Sequence, residues 1–275
     1  MNYRHAFHAG NHADVLKHAT LARVLAHMLE KPKPFLFLDT HAGIARYDLE
    51  SSEAKKTGEA DDGIRKLWAL DPAPPALRSY LSLVKRINRE SLRWYPGSPG
   101  IARLLMRPDD RIELCELHPE DNQALKRATA GDKRVTVRRE DGYHALKSLL
   151  PPPERRGVVL IDPPFEAKDE AAQLLKGVRH ALRRFSTGTY LIWYPIKDRP
   201  PVEALHAALT ETGQRRQLIA ELWISEPLSP MILNGSGLVI INPPFTLETW
   251  LKEALSALAV IFNAHDCKVA WLVSE

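Results

Sequence analysis

Seven short apolar runs recur along the chain, at residues 35–38, 112–117, 135–137, 158–161, 189–194, 218–224 and 238–241. Each has the length of a strand, and most are separated by apolar residues at helical spacing. Val15, Ala19, Ala22, Leu25, Ala26 and Leu29 mark a helix ahead of the first run, and residues 171–185, 202–209 and 247–262 read as others. Apolar strands alternating with helices predict an α/β fold whose sheet is mostly parallel and covered on both faces. Its ligand would lie beyond the carboxyl ends of the strands, at the switch point of strand order. One interval breaks the rhythm. No strand pattern appears between Tyr47 and Arg111. There Ile64, Leu67 and Trp68, then Tyr80, Leu81, Val84 and Ile87, predict two helices parted by Asp71-Pro72-Ala73-Pro74-Pro75. The spacing predicts an inserted helical subdomain over 50–100 within a main domain of residues 1–49 and 101–275.

Composition narrows the class. With 275 residues and 44% apolar content the chain can bury a full core. Cys115 and Cys267 are too few for a disulfide framework or a four-cysteine zinc site. No apolar run approaches membrane-spanning length, so a soluble cytoplasmic protein is expected. A net charge of +4 and a pI near 9.0 suit a polyanionic partner without demanding one. Arginine doublets at 138–139, 155–156, 183–184 and 215–216 read first as solvated charge. Residues 78–93 carry five cations against Glu90 and run into Trp94-Tyr95, a pairing that suits phosphates and unstacked bases as well as it suits a basic helix face.

Several strand exits carry chemistry. Asp39-Thr40-His41-Ala42-Gly43 leaves the first strand in a small-residue turn that lets backbone approach a nucleoside. Glu116, at the end of the second, is placed to accept from ribose hydroxyls. It stands 73 residues beyond Gly43 where about twenty are usual, and the insertion accounts for the excess. Asp141-Gly142 follows the third strand, as an adenine contact or as an ordinary turn. Ser98-Pro99 reads as a helix start with Ser98 as the cap. Gly10-Asn11 reads as a turn into a helix with Asn11 as a cap. His5, His8 and His12 could share a helical face but lack the companions of a metal site, and none is expected.

Two near-identical corners compete for the central role: Asp162-Pro163-Pro164-Phe165 after residues 158–161, and Asn242-Pro243-Pro244-Phe245 after 238–241. Asp162 ends the fourth strand, which flanks the switch point; Asn242 ends a later one and reads as a strand exit. An Asp carboxylate and the Pro163 carbonyl can each accept from an exocyclic amine while Phe165 holds the base plane.

These residues resemble those of a family. The chain looks like the RlmJ family of bacterial 23S ribosomal RNA (adenine-N6)-methyltransferases. The likeness is carried by residues 3–18 and 38–43, by Tyr95-Pro96-Gly97-Ser98-Pro99, by Glu116-Leu117-His118-Pro119 and by Ile161-Asp162-Pro163-Pro164-Phe165. It implies a Rossmann-like S-adenosylmethionine-dependent methyltransferase fold with a helical insertion. It implies cofactor binding by His18, His41, Ser98, Glu116, Asp141, Gly142 and Asp162. Asp162 would be catalytic with Pro163 and Phe165, His5 and Lys17 would stand close by, and Tyr3 would touch the target nucleoside. It further implies S-adenosyl-L-methionine as cofactor, no metal, and a monomer acting on 23S ribosomal RNA before ribosome assembly. Ala45 departs from the glycine usual there. The competing expectations are an amino-methyltransferase of another RNA base or of DNA, and a non-catalytic RNA-binding assembly module.

Overall fold

The computed structural model describes residues 4–226 and 232–274. Its central sheet has eight strands: β1 (Leu36–Asp39), β4 (Arg111–Cys115), β5 (Val135–Arg138), β6 (Gly157–Ile161), β7 (Thr189–Ile196), β8 (Gln217–Trp223), β9 (Gly235–Ile241) and β10 (Asp266–Val273). They are ordered β10-β8-β9-β7-β6-β1-β4-β5. The five strands from β5 to β7 are parallel, and β9, β8 and β10 form an antiparallel wing. β1 and β6 carry wholly buried runs, as strands covered on both faces require. Strand order reverses at β1, which pairs with β4 on one side and β6 on the other, so the ligand crevice opens beyond Asp39 and Ile161.

The helices α1 (His12–Leu29) and α5 (Ser98–Leu105) pack together on one face, where α10 (Leu247–Phe262) also contacts α1. The opposite face carries α7 (Gly142–Ser148), α8 (Glu170–Arg184) and α9 (Arg199–Thr210), whose apolar side chains form a second core. Helix α6 (Pro119–Thr129) lies beside β5. Asn11 caps α1, its side chain accepting from the Asp14 N–H.

The interval without a predicted strand holds two short ones. β2 (Arg46–Asp48) and β3 (Trp94–Pro96) pair antiparallel and bracket α2 (Ser52–Thr57), α3 (Ile64–Trp68) and α4 (Arg78–Arg86). Ile64, Leu67, Tyr80 and Leu81 are buried in the same core as Val15 and Leu16 of α1. Four of the five cations of residues 78–93 are engaged within the fold. Arg78 donates to the Ala73 carbonyl, Arg86 to the Leu104 carbonyl, Arg93 pairs with Asp48 at 2.8 Å, and Lys85 sits over the Trp68 ring. All five side chains are nonetheless exposed. Among the described residues no helix is long and apolar enough to cross a membrane.

Strand polarity sends the two proline corners to opposite ends of the sheet. β9 runs against β7, with Ile241 opposite Tyr190, so Asn242 emerges at the sheet edge away from the crevice. Its amide donates to the carbonyls of Ser186 and Gly188, both at 2.7 Å, and its backbone is left-handed with φ 52°. Asn tolerates that region better than other side chains. Replacing Asn242 by Ala strips two carbonyls of their donor and is expected to cost about 2–3 kcal/mol. Asn242→Gly should recover roughly 1 kcal/mol of that by relieving the backbone. Denaturant unfolding of both variants measures the difference.

Candidate active site

A cleft of about 1350 Å³ lies over the carboxyl ends of β1, β4 and β6. The loops after these strands and after β5 bring together His41, Glu116, Asp141, Gly142, Asp162, Pro163 and Phe165, and the amino ends of α1 and α5 add Lys17, His18 and Ser98. His5, in a single 3-10 turn before α1, also lines it. All the expected site residues within the described chain therefore share one cavity. Tyr3 lies outside the described residues.

The centre of the cleft is an ion triad. Lys17 Nζ donates to Asp162 Oδ2 at 2.5 Å and lies 2.9 Å from Asp14 Oδ1. Asp14 Oδ2 accepts from the Gly10 N–H at 2.9 Å and stands 2.8 Å from His5 Nε2. Burial alone would lower the Lys17 pKa; the facing carboxylates of Asp14 and Asp162 override it and hold the ammonium above its ordinary value. Burial would likewise raise the Asp14 carboxyl, but His5, Lys17 and His18 hold it well below the usual range. Asp162 is thus fixed through one oxygen. Its other oxygen, Oδ1, has no hydrogen-bond partner among the described residues. Phe165 meets the Trp193 ring edge-on at 5.9 Å, and Lys17 Nζ sits 5.7 Å over the same ring. An apolar wall therefore flanks the carboxylate.

The opposite end suits an adenosine. Glu116 follows β4 directly rather than ending it, and both its oxygens are oriented, Oε2 by the Gly43 N–H at 2.9 Å and Oε1 by the His118 N–H at 2.8 Å. Burial raises its pKa. A carboxylate aimed this way keeps lone pairs for a vicinal diol. Burial pushes the His41 pKa down to about 4 and that of His18 to about 3, so both are neutral near pH 7. His41 Nδ1 lies 2.8 Å from the Thr40 hydroxyl, and His18 Nδ1 lies 2.8 Å from the Tyr95 hydroxyl. Asp141 caps α7, its side chain accepting from the N–H groups of Tyr143 and His144. Gly142 is required by packing, since a Cβ there would stand 2.3 Å from the Thr40 carbonyl oxygen.

Several expectations need correction. Gly97, not Ser98, is the cap of α5; Ser98 is the first helical residue, and Asp39 Oδ2 is buried without a hydrogen-bond partner. Ala45 adopts φ 69°, so the turn forms in the left-handed conformation that glycine would take. His5, His8 and His12 do not converge: His5 pairs with Asp14, His8 with Glu59, and His12 Nε2 is buried without a hydrogen-bond partner. Asp14, Asp39 and Trp193 join the site without a sequence signal of their own. Asp14 sits at an ordinary first-turn position, Asp39 reads as part of a turn, and Trp193 lies within a strand pattern.

Asp39 offers a direct test. It is fully buried, and desolvation raises its pKa to about 7, opposed by the Ser98 hydroxyl and reinforced by the Asp162 charge. A carboxyl with a raised pKa binds its proton more tightly folded than unfolded, so stability falls as pH rises from about 4 to about 7. Asp39→Asn, which keeps the acceptor for the His41 N–H, should match the wild type near pH 4. At pH 8 it should exceed it by on the order of 4 kcal/mol. Denaturant midpoints at the two pH values check this, and a pH-independent difference would contradict it.

The comparisons with known proteins agree with this geometry. A family model described as "RsmJ: Ribosomal RNA large subunit methyltransferase D, RlmJ" matches residues 32–273. The chain is 43% identical over 280 residues to "Ribosomal RNA large subunit methyltransferase J" of Escherichia coli (strain K12), covering 100% of both chains. It is 45% identical, with the same coverage, to the protein of that name from Haemophilus influenzae. A crystal structure of a Legionella pneumophila protein superposes with a TM-score of 0.88 at 38% identity, covering 96% of this chain and 97% of that one. With its Rossmann-like α/β sheet and a family match over most of its length, the chain belongs to the RlmJ family of ribosomal RNA large-subunit methyltransferases.

Proposed function

We propose that the cleft methylates the exocyclic N6 amine of an adenine in 23S ribosomal RNA, with S-adenosyl-L-methionine as the donor. One observation carries the reading. Asp162-Pro163-Pro164-Phe165 leaves β6 beside the switch point, in the same cleft as the oriented Glu116 carboxylate. The donor set fits the cofactor: Glu116 for the ribose hydroxyls, Asp141 and Gly142 for the adenine, and the α5 amino end with Ser98 for the amino-acid carboxylate. His18, His41 and Asp162 complete its surroundings. When bound, S-adenosylmethionine supplies an electrophilic methyl on a sulfonium.

The rest falls to the chain. Adenine N6 is a weak nucleophile because its lone pair is delocalised into the ring. Asp162 Oδ1 and the Pro163 carbonyl accept from its two N–H bonds and draw the nitrogen toward tetrahedral geometry. Lys17 keeps the Asp162 carboxylate stationary, and Asp14 and His5 keep Lys17 in place. Phe165 stacks on the base. The N6 proton becomes acidic as the new N–C bond forms, and Asp162 or water then accepts it. The base must leave its stack to enter, which is least costly in a loop. On the same reading, residues 50–100 form an inserted helical subdomain and Tyr3 contacts the target nucleoside. The enzyme works in the cytoplasm as a monomer on ribosomal RNA not yet assembled into subunits.

Asp162→Ala is expected to lower methyl transfer by about 10²–10³-fold or more while the fold persists. Wild-type turnover of a protein-free 23S transcript by that variant would overturn the assignment. Lys17→Met should reduce activity and also stability, by roughly 3–5 kcal/mol, because it leaves Asp14 buried without its cation. Circular dichroism melts alongside the methylation assay separate the two effects.

A further inference from the structure

Beside the cleft, α7 and α8 enclose a second groove of about 800 Å³, and Tyr143 and Gln173 line both. Lys147 faces the groove from α7, and Lys176, Arg179 and Arg183 face it from α8. The three α8 residues recur at helical spacing and form one stripe. No carboxylate lines the groove among the described residues. Several arginines elsewhere are engaged within the fold: Arg103 and Arg134 on Asp132, Arg107 on Asp110, and Arg111 on Glu113 and Glu154. In the groove, Lys147, Lys176 and Arg183 have no ion pair among the described residues, and Arg179 has only a 3.8 Å contact with exposed Glu211. The doublet at 183–184 divides its labour, since Arg184 donates to the Leu150 carbonyl while Arg183 stays exposed. His180 Nε2, also in the lining, is buried without a hydrogen-bond partner.

The helix dipoles explain Lys147 in the last turn of α7 and Arg183 in the last turn of α8. They do not account for Lys176 or Arg179. Like charges gathered within about 10 Å repel one another, and an anion laid between them removes that repulsion. Arginine and lysine in a row without carboxylates match phosphates in sequence. We propose that the α7–α8 groove carries the ribose–phosphate backbone of the substrate RNA where it flanks the nucleotide held in the cleft. This rests on the cleft being the site of RNA methylation.

The test compares wild type, Lys176→Gln/Arg183→Gln and a control, Lys126→Gln/Lys133→Gln, whose exposed cations lie outside the groove. Binding to a protein-free 23S transcript is followed by anisotropy across a salt series, with steady-state methylation and thermal midpoints in parallel. Loss of two phosphate contacts should reduce the slope of log K against log salt by about 1.4. KM for RNA should rise several-fold while kcat and the midpoint hold. The control should behave as wild type. If wild type methylates the transcript and the groove variant keeps the wild-type slope and KM, the groove is not the RNA track. An equal loss in the control would overturn it too, by reducing the effect to net charge. If wild type neither binds nor methylates the transcript, the underlying reading falls with it.

Discussion

One buried cation holds the site together. Lys17 reaches from the first helix to the corner after β6, with Asp14 behind it and Asp162 in front. Removing three charged groups from water costs several kcal/mol per ion, and their mutual attraction offsets that only when the geometry is good. The return is positional. A carboxylate held through one oxygen cannot rotate, so its second oxygen points where the fold directs it. The chain secures Asp14 with the Gly10 N–H and His5, so the support of the Asp162 corner extends through the opening turn of the protein.

Much of this architecture is legible in the amino-acid sequence. The parallel strands, the long helices, the polar opening and the Asp162 corner follow from periodicity and from the residues at strand exits. For the preference for Asp162 over Asn242, the fold supplies a better reason than chain order. Chain order suggests it, but strand direction decides it, because β9 is antiparallel and delivers its prolines to the other edge. A tetrapeptide carries no information about the direction of the strand it ends.

What the sequence conceals, it conceals for physical reasons. The ribbon of β2 and β3 has three residues a side, too few for a period-two pattern, and its partners lie nearly fifty residues apart. β10 is a half-exposed edge strand whose alternation is blurred by Lys268 and Trp271. Ser98 and Gly97 are both acceptable caps, and the sequence does not show at which of the two the helix begins. The pairing of Lys17 with Asp162 is a tertiary fact. From spacing alone, Lys17 is one more polar residue on a first helix.

The separation of that pair has a bearing on biogenesis. Lys17 and Asp162 are 145 residues apart. Asp14 and Lys17 can meet within a turn of helix as soon as both emerge from the ribosome. Asp162 must wait for half of the sheet's strands to be synthesised and for a long loop to close. Chains that end before β6 would therefore hold Lys17 already paired with Asp14 and lack its contact with Asp162.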